Sequence, residues 1–330
     1  MLKIYPIARF SGYFLLIISI LTGISACQKE ISGEGFPVPP VATGWTTQVI
    51  SPATHPVNLL LATMKQPEIT TTINQATGGV CTGGNCSAIA PADLFVKLDN
   101  SPVTGNVTVS MSPATKYADM LFNGLATLSP DGLLITGGMV KIKATQGTDV
   151  LKIKAGKSLK VLFPEPFNSQ FKGYQGVETN EAVNPVTWAV NNNWVAGFDS
   201  AQGTSGMSIN VDSLTWINCD RLMNLGGAMT NIYLKLPEQY GNANTACYVV
   251  FTSQKTIAGL RGDAVNKYFW QGSNYKVPEG ANVKLVAISK TDNKIFYGSA
   301  QATITTNLTV TISQMDEISQ SELNTRLNAL

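Results

Sequence analysis

The sequence predicts an all-β protein with two β-sandwich, immunoglobulin-like domains and a short C-terminal helix. Short runs rich in Val, Ile, Thr and Tyr alternate with turn residues along most of the 330 positions. Helical spacing of apolar residues is clear only near the C-terminus. Charged residues make up only 13% of the chain. Such a composition is more typical of extracellular β proteins than of cytosolic enzymes.

The length suggests two domains, because a typical domain has about 100 to 200 residues. The predicted segments are a signal peptide (1–26), a flexible tether (27–44), an N-terminal β-sandwich (45–164), an irregular connection (165–205), a C-terminal β-sandwich (206–312) and a C-terminal helix (313–330).

The first segment has a basic start, a short apolar stretch and small residues before Cys27. Its strongly apolar part covers only residues 13–21, whereas a membrane-spanning helix needs roughly 20 apolar residues and a signal peptide about 7 to 15. The arrangement resembles the bacterial lipobox, which implies that Cys27 carries the lipid and begins the mature chain. An ordinary secreted protein and an uncleaved anchor are the alternatives.

The residues after Cys27 are Gln28, Lys29 and Glu30, with no Asp beside the cysteine. Nothing in the bacterial sorting pattern therefore retains the protein at the inner membrane, and we expect attachment to the outer membrane through the lipid. Lys29 and Glu30 resemble a fragment of the surface-export signal of Bacteroidetes lipoproteins. The periplasmic and the surface-exposed face both stay open.

Four further cysteines, an even number, suit the oxidising space outside the inner membrane. Glycines and an asparagine between Cys81 and Cys86 favour a tight loop, so these two are the preferred disulfide. Cys219 and Cys247 would form the second bridge, and buried free thiols are their alternative. The spacing lacks the His or second Cys pair of a zinc site, so we expect no metal and no cofactor.

The charge balance argues against nucleic-acid binding. The precursor has a net charge of +2, and Lys3 and Arg9 leave with the signal peptide, so the mature chain is formally neutral. Binding to phosphates requires many uncompensated cations.

In the N-terminal domain, residues 106–111 and 133–136 are predicted strands, and 129–132 is a predicted turn. Residues 140–144 and 151–155 alternate apolar residues with lysines and predict a hairpin with one lysine-rich face. A polyanion contact is one interpretation of that face. The favoured one is a solvated face that protects a sheet edge.

The connection is rich in Asn, Gly and aromatic residues. Trp188 and Trp194 flank three asparagines, and aromatic faces beside amides suit a sugar ring. We therefore name Trp188 and Trp194 as candidate ligand contacts, although most tryptophans fill cores or domain seams.

In the C-terminal domain, predicted strands cover residues 231–236, 246–251, 282–289 and 294–297, with two more short strands between 303 and 312. Ser319 and Glu322 have capping-box spacing at the start of the helix. We expect this helix to dock on its own domain.

Residues 125–139 (LATLSPDGLLITGGM) and 214–221 (LTWINCDR) are similar to stretches of a group of uncharacterised Bacteroidetes outer-membrane lipoproteins. The resemblance extends from about Gly78 to the end of the chain. It implies a β-sandwich architecture and no established activity.

Catalytic groups are scarce, and we name no catalytic residue. The only histidine is His55, which lies beside a proline and is expected to be an ordinary loop residue. Trp216, Asn218, Asp220 and Arg221 form the one tight polar cluster, for which a structural role is favoured. A hydrolase that uses two carboxylates has no spacing signature and stays open.

The leading functional prediction is a lipid-anchored, non-catalytic protein of the cell envelope whose domains contact proteins or surfaces. A glycan-binding lipoprotein of a polysaccharide-uptake system is the alternative, and a carboxylate-dependent hydrolase is less favoured.

Overall fold

Strands dominate the computed structural model, which describes residues 44–201, 204–273 and 275–330. They make up 51% of the structure, and helices make up 8%. The prediction of an all-β fold with several sheets and a short C-terminal helix is confirmed. The predicted signal peptide, Cys27 and the predicted tether up to residue 43 lie outside the described residues.

Three short helices and 24 strands follow one another along the described chain. The helices are α1 (Pro56–Ala62), α2 (Tyr117–Phe122) and α3 (Gln320–Asn328). The strands are β1 (Ile69–Asn74), β2 (Gly79–Gly83), β3 (Cys86–Ala90), β4 (Phe95–Lys97), β5 (Asn106–Ala114), β6 (Leu128–Ser129), β7 (Gly132–Gln146), β8 (Asp149–Ile153), β9 (Leu159–Phe163), β10 (Lys172–Glu178), β11 (Val186–Val190), β12 (Ala196–Ala201), β13 (Thr204–Val211), β14 (Trp216–Leu222), β15 (Met229–Thr230), β16 (Ile232–Lys235), β17 (Thr245–Phe251), β18 (Thr256–Asp263), β19 (Tyr268–Trp270), β20 (Val277–Pro278), β21 (Asn282–Thr291), β22 (Lys294–Thr303), β23 (Leu308–Thr311) and β24 (Asp316–Ile318). None of the described helices is long and apolar enough to cross a bilayer.

The N-terminal half is a sandwich of two sheets. One is nine-stranded, with the main order β1-β5-β7-β14-β10-β11, and the other has the order β12-β13-β9-β3-β2. Alternate residues of both sheets point into one shared core, which we call the sandwich core; its members include Cys81, Val109, Ile142, Val161 and Ile209.

The sandwich extends beyond the boundary expected from the sequence. β13 pairs with β9, and β14 lies between β7 and β10 in the nine-stranded sheet. These two strands were expected to open the C-terminal domain. Their partners lie far earlier in the chain, as the register of Leu222 opposite Leu134 illustrates.

The turn predicted at 129–132 is present between β6 and β7, where Ser129 lies opposite Gly132. The lysine hairpin is present only at its tip, because β8 leaves β7 after two residue pairs and continues along β4. Lys143 and Lys154 pair with the carboxylates of Glu68 and Asp93 at 2.5 Å.

The other lysines of this region also have local partners. Lys160 pairs with Asp199, and the Lys141 ammonium lies 5.8 Å from the centroid of the Trp216 ring. Lys152 and Lys157 donate to the backbone carbonyls of Leu98 and Ala92 at 2.8 and 3.2 Å. These local partners favour the solvated-face interpretation over a polyanion contact.

The C-terminal half is built on one continuous order of eight strands, β23-β16-β19-β18-β17-β21-β22-β24. Its central strands are buried on both faces. On one face lies the C-terminal core, which includes Val249, Leu260, Phe269, Leu285 and Ala287. On the other lies a central core shared with the N-terminal half, which includes Leu61, Leu121, Trp188, Val250 and Leu323.

The C-terminal helix α3 begins as predicted. The Ser319 hydroxyl accepts a hydrogen bond from the Glu322 backbone N–H at 3.1 Å. The Glu322 carboxylate contacts Arg326 one turn later. Leu323 and Leu327 are buried in the central core together with α1 and α2, so the helix docks where the two halves meet.

Backbone and side-chain hydrogen bonds also join the halves along β18. One edge of this strand pairs with β17, and β19 covers the other edge only from Arg261 onward. The free edge is satisfied by N-terminal groups: Thr127 bonds both backbone groups of Ile257, and the Asn184 amide bonds both backbone groups of Gly259. These contacts supply the partners that buried backbone groups require.

Candidate functional site

Trp188 and Trp194 do not form an exposed sugar platform. Their side chains are 0% and 2% exposed, and each indole N–H already has a partner. Trp188 donates to the Ala126 carbonyl at 2.5 Å, and Trp194 donates to the Asp212 carboxylate at 2.8 Å. Both rings are core residues: Trp188 on β11 lies in the core that the two halves share, and Trp194, in the turn between β11 and β12, lies in the sandwich core.

The four cysteines of the described chain are free and buried, so the predicted disulfides are not formed. In the β2–β3 hairpin, Cys81 lies opposite Ala88, and Cys86 lies opposite Gly83. Such diagonal positions are about 7 to 8 Å apart, beyond the usual span of a disulfide. Burial raises the pKa of the Cys86 thiol to about 12, so this thiol is protonated at neutral pH.

Cys219 and Cys247 point into different cores, the sandwich core and the C-terminal core. Burial raises the pKa of both thiols. They are the small buried residues that were the alternative to a bridge.

The polar cluster on β14 is a buried hydrogen-bonded network. Thr136 donates to the Asn218 side-chain oxygen at 2.9 Å, and the Asn218 amide donates to one oxygen of Asp220 at 2.5 Å. A bulge between Asn218 and Asp220 shifts the register against β7. Arg221 lies over the Phe171 ring instead of pairing with Asp220. The network is inside the protein and offers no surface to a ligand.

Asp220 is the one member of this network with an ionisable side chain. Its side chain is fully buried, and its second oxygen has no hydrogen-bond partner among the described residues. Burial raises the pKa of Asp220 well above its ordinary value, although the bond from Asn218 acts in the opposite direction.

We expect Asp220→Asn to make the protein progressively more stable than the wild type as the pH rises. Below about pH 4 the carboxyl is protonated in both the folded and the unfolded state, so the variants differ little through ionisation. Above that pH the unfolded state releases its proton more readily, so the wild type loses stability as pH rises toward the folded pKa. By pH 7 the difference should therefore favour the variant, and it should be larger than at pH 4.

Urea unfolding at pH 4, 6 and 8 measures this difference. Asp292→Asn, in an exposed turn where the backbone φ of 51° also suits Asn, is the matched control and should show no such trend. A gap between Asp220→Asn and wild type that stays constant across the pH range would mean that Asp220 is ionised in the folded protein.

His55 is buried rather than a loop residue at the surface. It is the N-cap of α1, and its Nε2 lies 3.3 Å from the Asn242 carbonyl oxygen. Burial lowers the pKa of the ring, so the imidazole is neutral at pH 7. Its Nδ1 has no hydrogen-bond partner among the described residues.

A cavity of about 450 Å³ lies beside His55. Its charged groups are Arg261 and Glu181, which pair with each other through two contacts, one of them 3.0 Å from Nε to Oε2. Within the described ranges no three His, Cys, Asp or Glu side chains come together as a metal site. The two charged groups of this cavity therefore satisfy each other.

Three partly exposed aromatic residues lie together on the outer face of the eight-stranded sheet, and we call them the aromatic face: Tyr233, Tyr268 and Trp270. Tyr233 on β16 is opposite Trp270 on β19. Their ring centroids are 6.4 Å apart, and the ring planes differ by only 6°. The Tyr268 ring is 5.2 Å from the Tyr233 ring and nearly perpendicular to it.

The face arises from strand alternation. Ile232, Leu234 and Phe269 point into the C-terminal core, so the residues between and beside them point outward. The other outward side chains of β16 and of the adjoining strands are polar: they are Lys235, Arg261, Asp263, Thr309 and Thr311.

Sequence reasoning missed the aromatic face. Residues 231–236 were correctly predicted as a strand, and their period-2 pattern already placed Tyr233 on the outer side. What the sequence did not reveal was that β19, more than 30 positions later, places Trp270 directly beside Tyr233.

Comparison with known proteins adds no relative. No family model matches the chain, and no curated protein matches it significantly. The resemblance to Bacteroidetes lipoproteins therefore stays a prediction.

Proposed function

We propose that this protein is a lipid-anchored, non-catalytic protein of the outer membrane whose body makes surface interactions through the aromatic face. The observation that carries the proposal is the clustering of Tyr233, Tyr268 and Trp270 at the surface of a well-packed sheet. Tyr, Trp and Arg contribute most of the energy at binding surfaces, and Tyr and Trp bury a large area at a low entropic cost.

The rigid support of this face strengthens the proposal. β16 and β19 are short, but the residues between the aromatic positions are anchored in the C-terminal core. A binding surface held on packed strands loses little entropy when a ligand binds.

The state of the polar groups favours binding over catalysis. Asp220 is enclosed in its network, and Glu181 is engaged by Arg261. The neutral His55 is in contact with a backbone carbonyl. None of these three groups is placed as a free acid or base beside the aromatic face.

The lipid anchor is tested by growing cells with an alkyne-tagged palmitate and measuring label on the protein. We expect label on the wild type and none on Cys27→Ser. Cys81→Ser is the matched control and should keep the label, since Cys81 is 1% exposed in the sandwich core. Equal labelling of wild type and Cys27→Ser would refute the anchor.

The surface interaction is tested with a protein that lacks the lipid, which is the Cys27→Ser chain produced without residues 1–26. This lipid-free protein should sediment with outer-membrane vesicles from the same cells, and the double change Tyr233→Ala/Trp270→Ala should abolish sedimentation. Phe198→Ala, which removes an aromatic ring that is 61% exposed on β12, is the control. Unchanged sedimentation of the double variant would show that the aromatic face has no such role.

A further inference from the structure

We infer that the aromatic face binds a neutral polysaccharide, with the parallel rings of Tyr233 and Trp270 contacting the C–H faces of sugar units. This inference rests on the proposed function and names the ligand of the same site. It depends on three properties of the face, which are the arrangement of its rings, the chemistry of its outward side chains and its charge.

The rings provide an extended apolar strip. Tyr233 and Trp270 are on adjacent strands with planes within 6° of each other, and Tyr268 stands beside them. The two ring planes are therefore parallel to each other. A sugar ring has an apolar face made of C–H groups and an equatorial rim of hydroxyls, so successive units of a chain match successive aromatic rings.

The other outward side chains distinguish a glycan from a protein partner. Among the described residues of β16, β19 and β23 and at the end of β18, every outward side chain is aromatic or carries a group that can form hydrogen bonds. A protein interface of this kind would add aliphatic residues around the aromatic ones to complete an apolar centre. Here the rings are instead bordered by hydroxyl, carboxylate, ammonium and guanidinium groups, which suit the hydroxyl rim of a sugar.

The charge of the face is complementary to an uncharged ligand. The positive charge of Arg261 is balanced by Glu181, and the other charged side chains of the face are one cation, Lys235, and one anion, Asp263. Asp263 accepts hydrogen bonds from the Asn266 side chain and from backbone N–H groups, and these bonds lower the pKa of its carboxyl. An anionic polysaccharide would require several cations without partners, and a neutral one requires donors and acceptors.

Affinity gel electrophoresis tests the inference directly. The lipid-free Cys27→Ser chain is run through native gels that contain soluble starch, hydroxyethylcellulose or galactomannan, which are neutral, or polygalacturonate, which is anionic. We expect retardation in at least one neutral gel and none in polygalacturonate. Trp270→Ala and Tyr233→Ala should each weaken binding by roughly three- to tenfold, the value of one aromatic contact.

Two further variants separate binding from folding. Trp270→Phe keeps a flat ring and should bind more tightly than Trp270→Ala, whereas Phe198→Ala should bind like the wild type. Circular dichroism of each variant confirms that the fold is retained.

The inference is overturned if none of the three neutral polysaccharides slows the migration of the lipid-free chain with the native aromatic face. It is also overturned if polygalacturonate is the one polysaccharide that slows it. If the aromatic double variant loses sedimentation with vesicles while no neutral polysaccharide retards the wild type, the surface interaction stands and the ligand is not a glycan.

Discussion

Trp188→Ala is expected to lower the free energy of unfolding by about 3–5 kcal/mol, the usual cost of removing a large buried aromatic side chain. Trp188 is 0% exposed and lies in the central core, to which both halves of the protein contribute. Truncation leaves a cavity there, and it also leaves the Ala126 carbonyl without its indole partner. Urea unfolding followed by circular dichroism measures the change.

Trp188→Phe separates the two contributions. It keeps most of the apolar volume and removes the indole N–H, so it should cost less, about 1–3 kcal/mol. Trp270→Ala on the aromatic face is the matched tryptophan control and should change stability far less, since its ring is partly exposed. If Trp188→Ala unfolds at the urea concentration of the wild type, Trp188 cannot be the core residue described above.

The two tryptophans also illustrate what the sequence alone can predict. Trp188 stands close to three asparagines, in a segment for which the sequence predicts an irregular connection with at most short strands. Its burial depends on β11 pairing with β10 and on the Ala126 carbonyl, 62 positions earlier in the chain. Local composition carries no information on such distant contacts.

Features that depend on neighbouring residues were predicted well. Strand alternation, the turn at 129–132 and the Ser319 cap all follow from residues within a few positions of one another. The cysteine pairs were not, because a bridge depends on how strands are aligned. In the pairing of β2 with β3, Cys86 lies two positions away from the residue opposite Cys81, so the two thiols are too far apart for a bridge.

The aromatic face also depends on contacts between residues that are far apart in the chain. In the sequence alone, nothing distinguishes the residues of this face from buried aromatic residues of other strands. Their inner neighbours Leu234 and Phe269 are in fact the core residues. The alignment of β16 with β19 decides which rings reach the surface together.

Asn184→Ala is expected to destabilise the protein by about 1–3 kcal/mol, although it removes only a small polar side chain. The Asn184 amide accepts from the Gly259 N–H at 2.9 Å and donates to the Gly259 carbonyl at 3.3 Å. Each buried backbone group that loses its partner costs about 1–3 kcal/mol. The carbonyl keeps a second donor, the Tyr275 hydroxyl, so the N–H bears most of the loss. Thermal and urea unfolding measure it, with the exposed Asn192→Ala as the control.

The contact between Asn184 and Gly259 can also be disrupted by a change at Gly259, and this second change tests the explanation. A Cβ at Gly259 would lie 2.4 Å from the Val183 carbonyl oxygen, so Gly259→Ala must push the segment that carries Asn184 away from β18. If both changes act on one contact between the two halves, the double variant should lose less stability than the two single losses together. Additive losses would mean that Asn184 and Gly259 contribute separately, and the halves would then be joined mainly by the apolar central core.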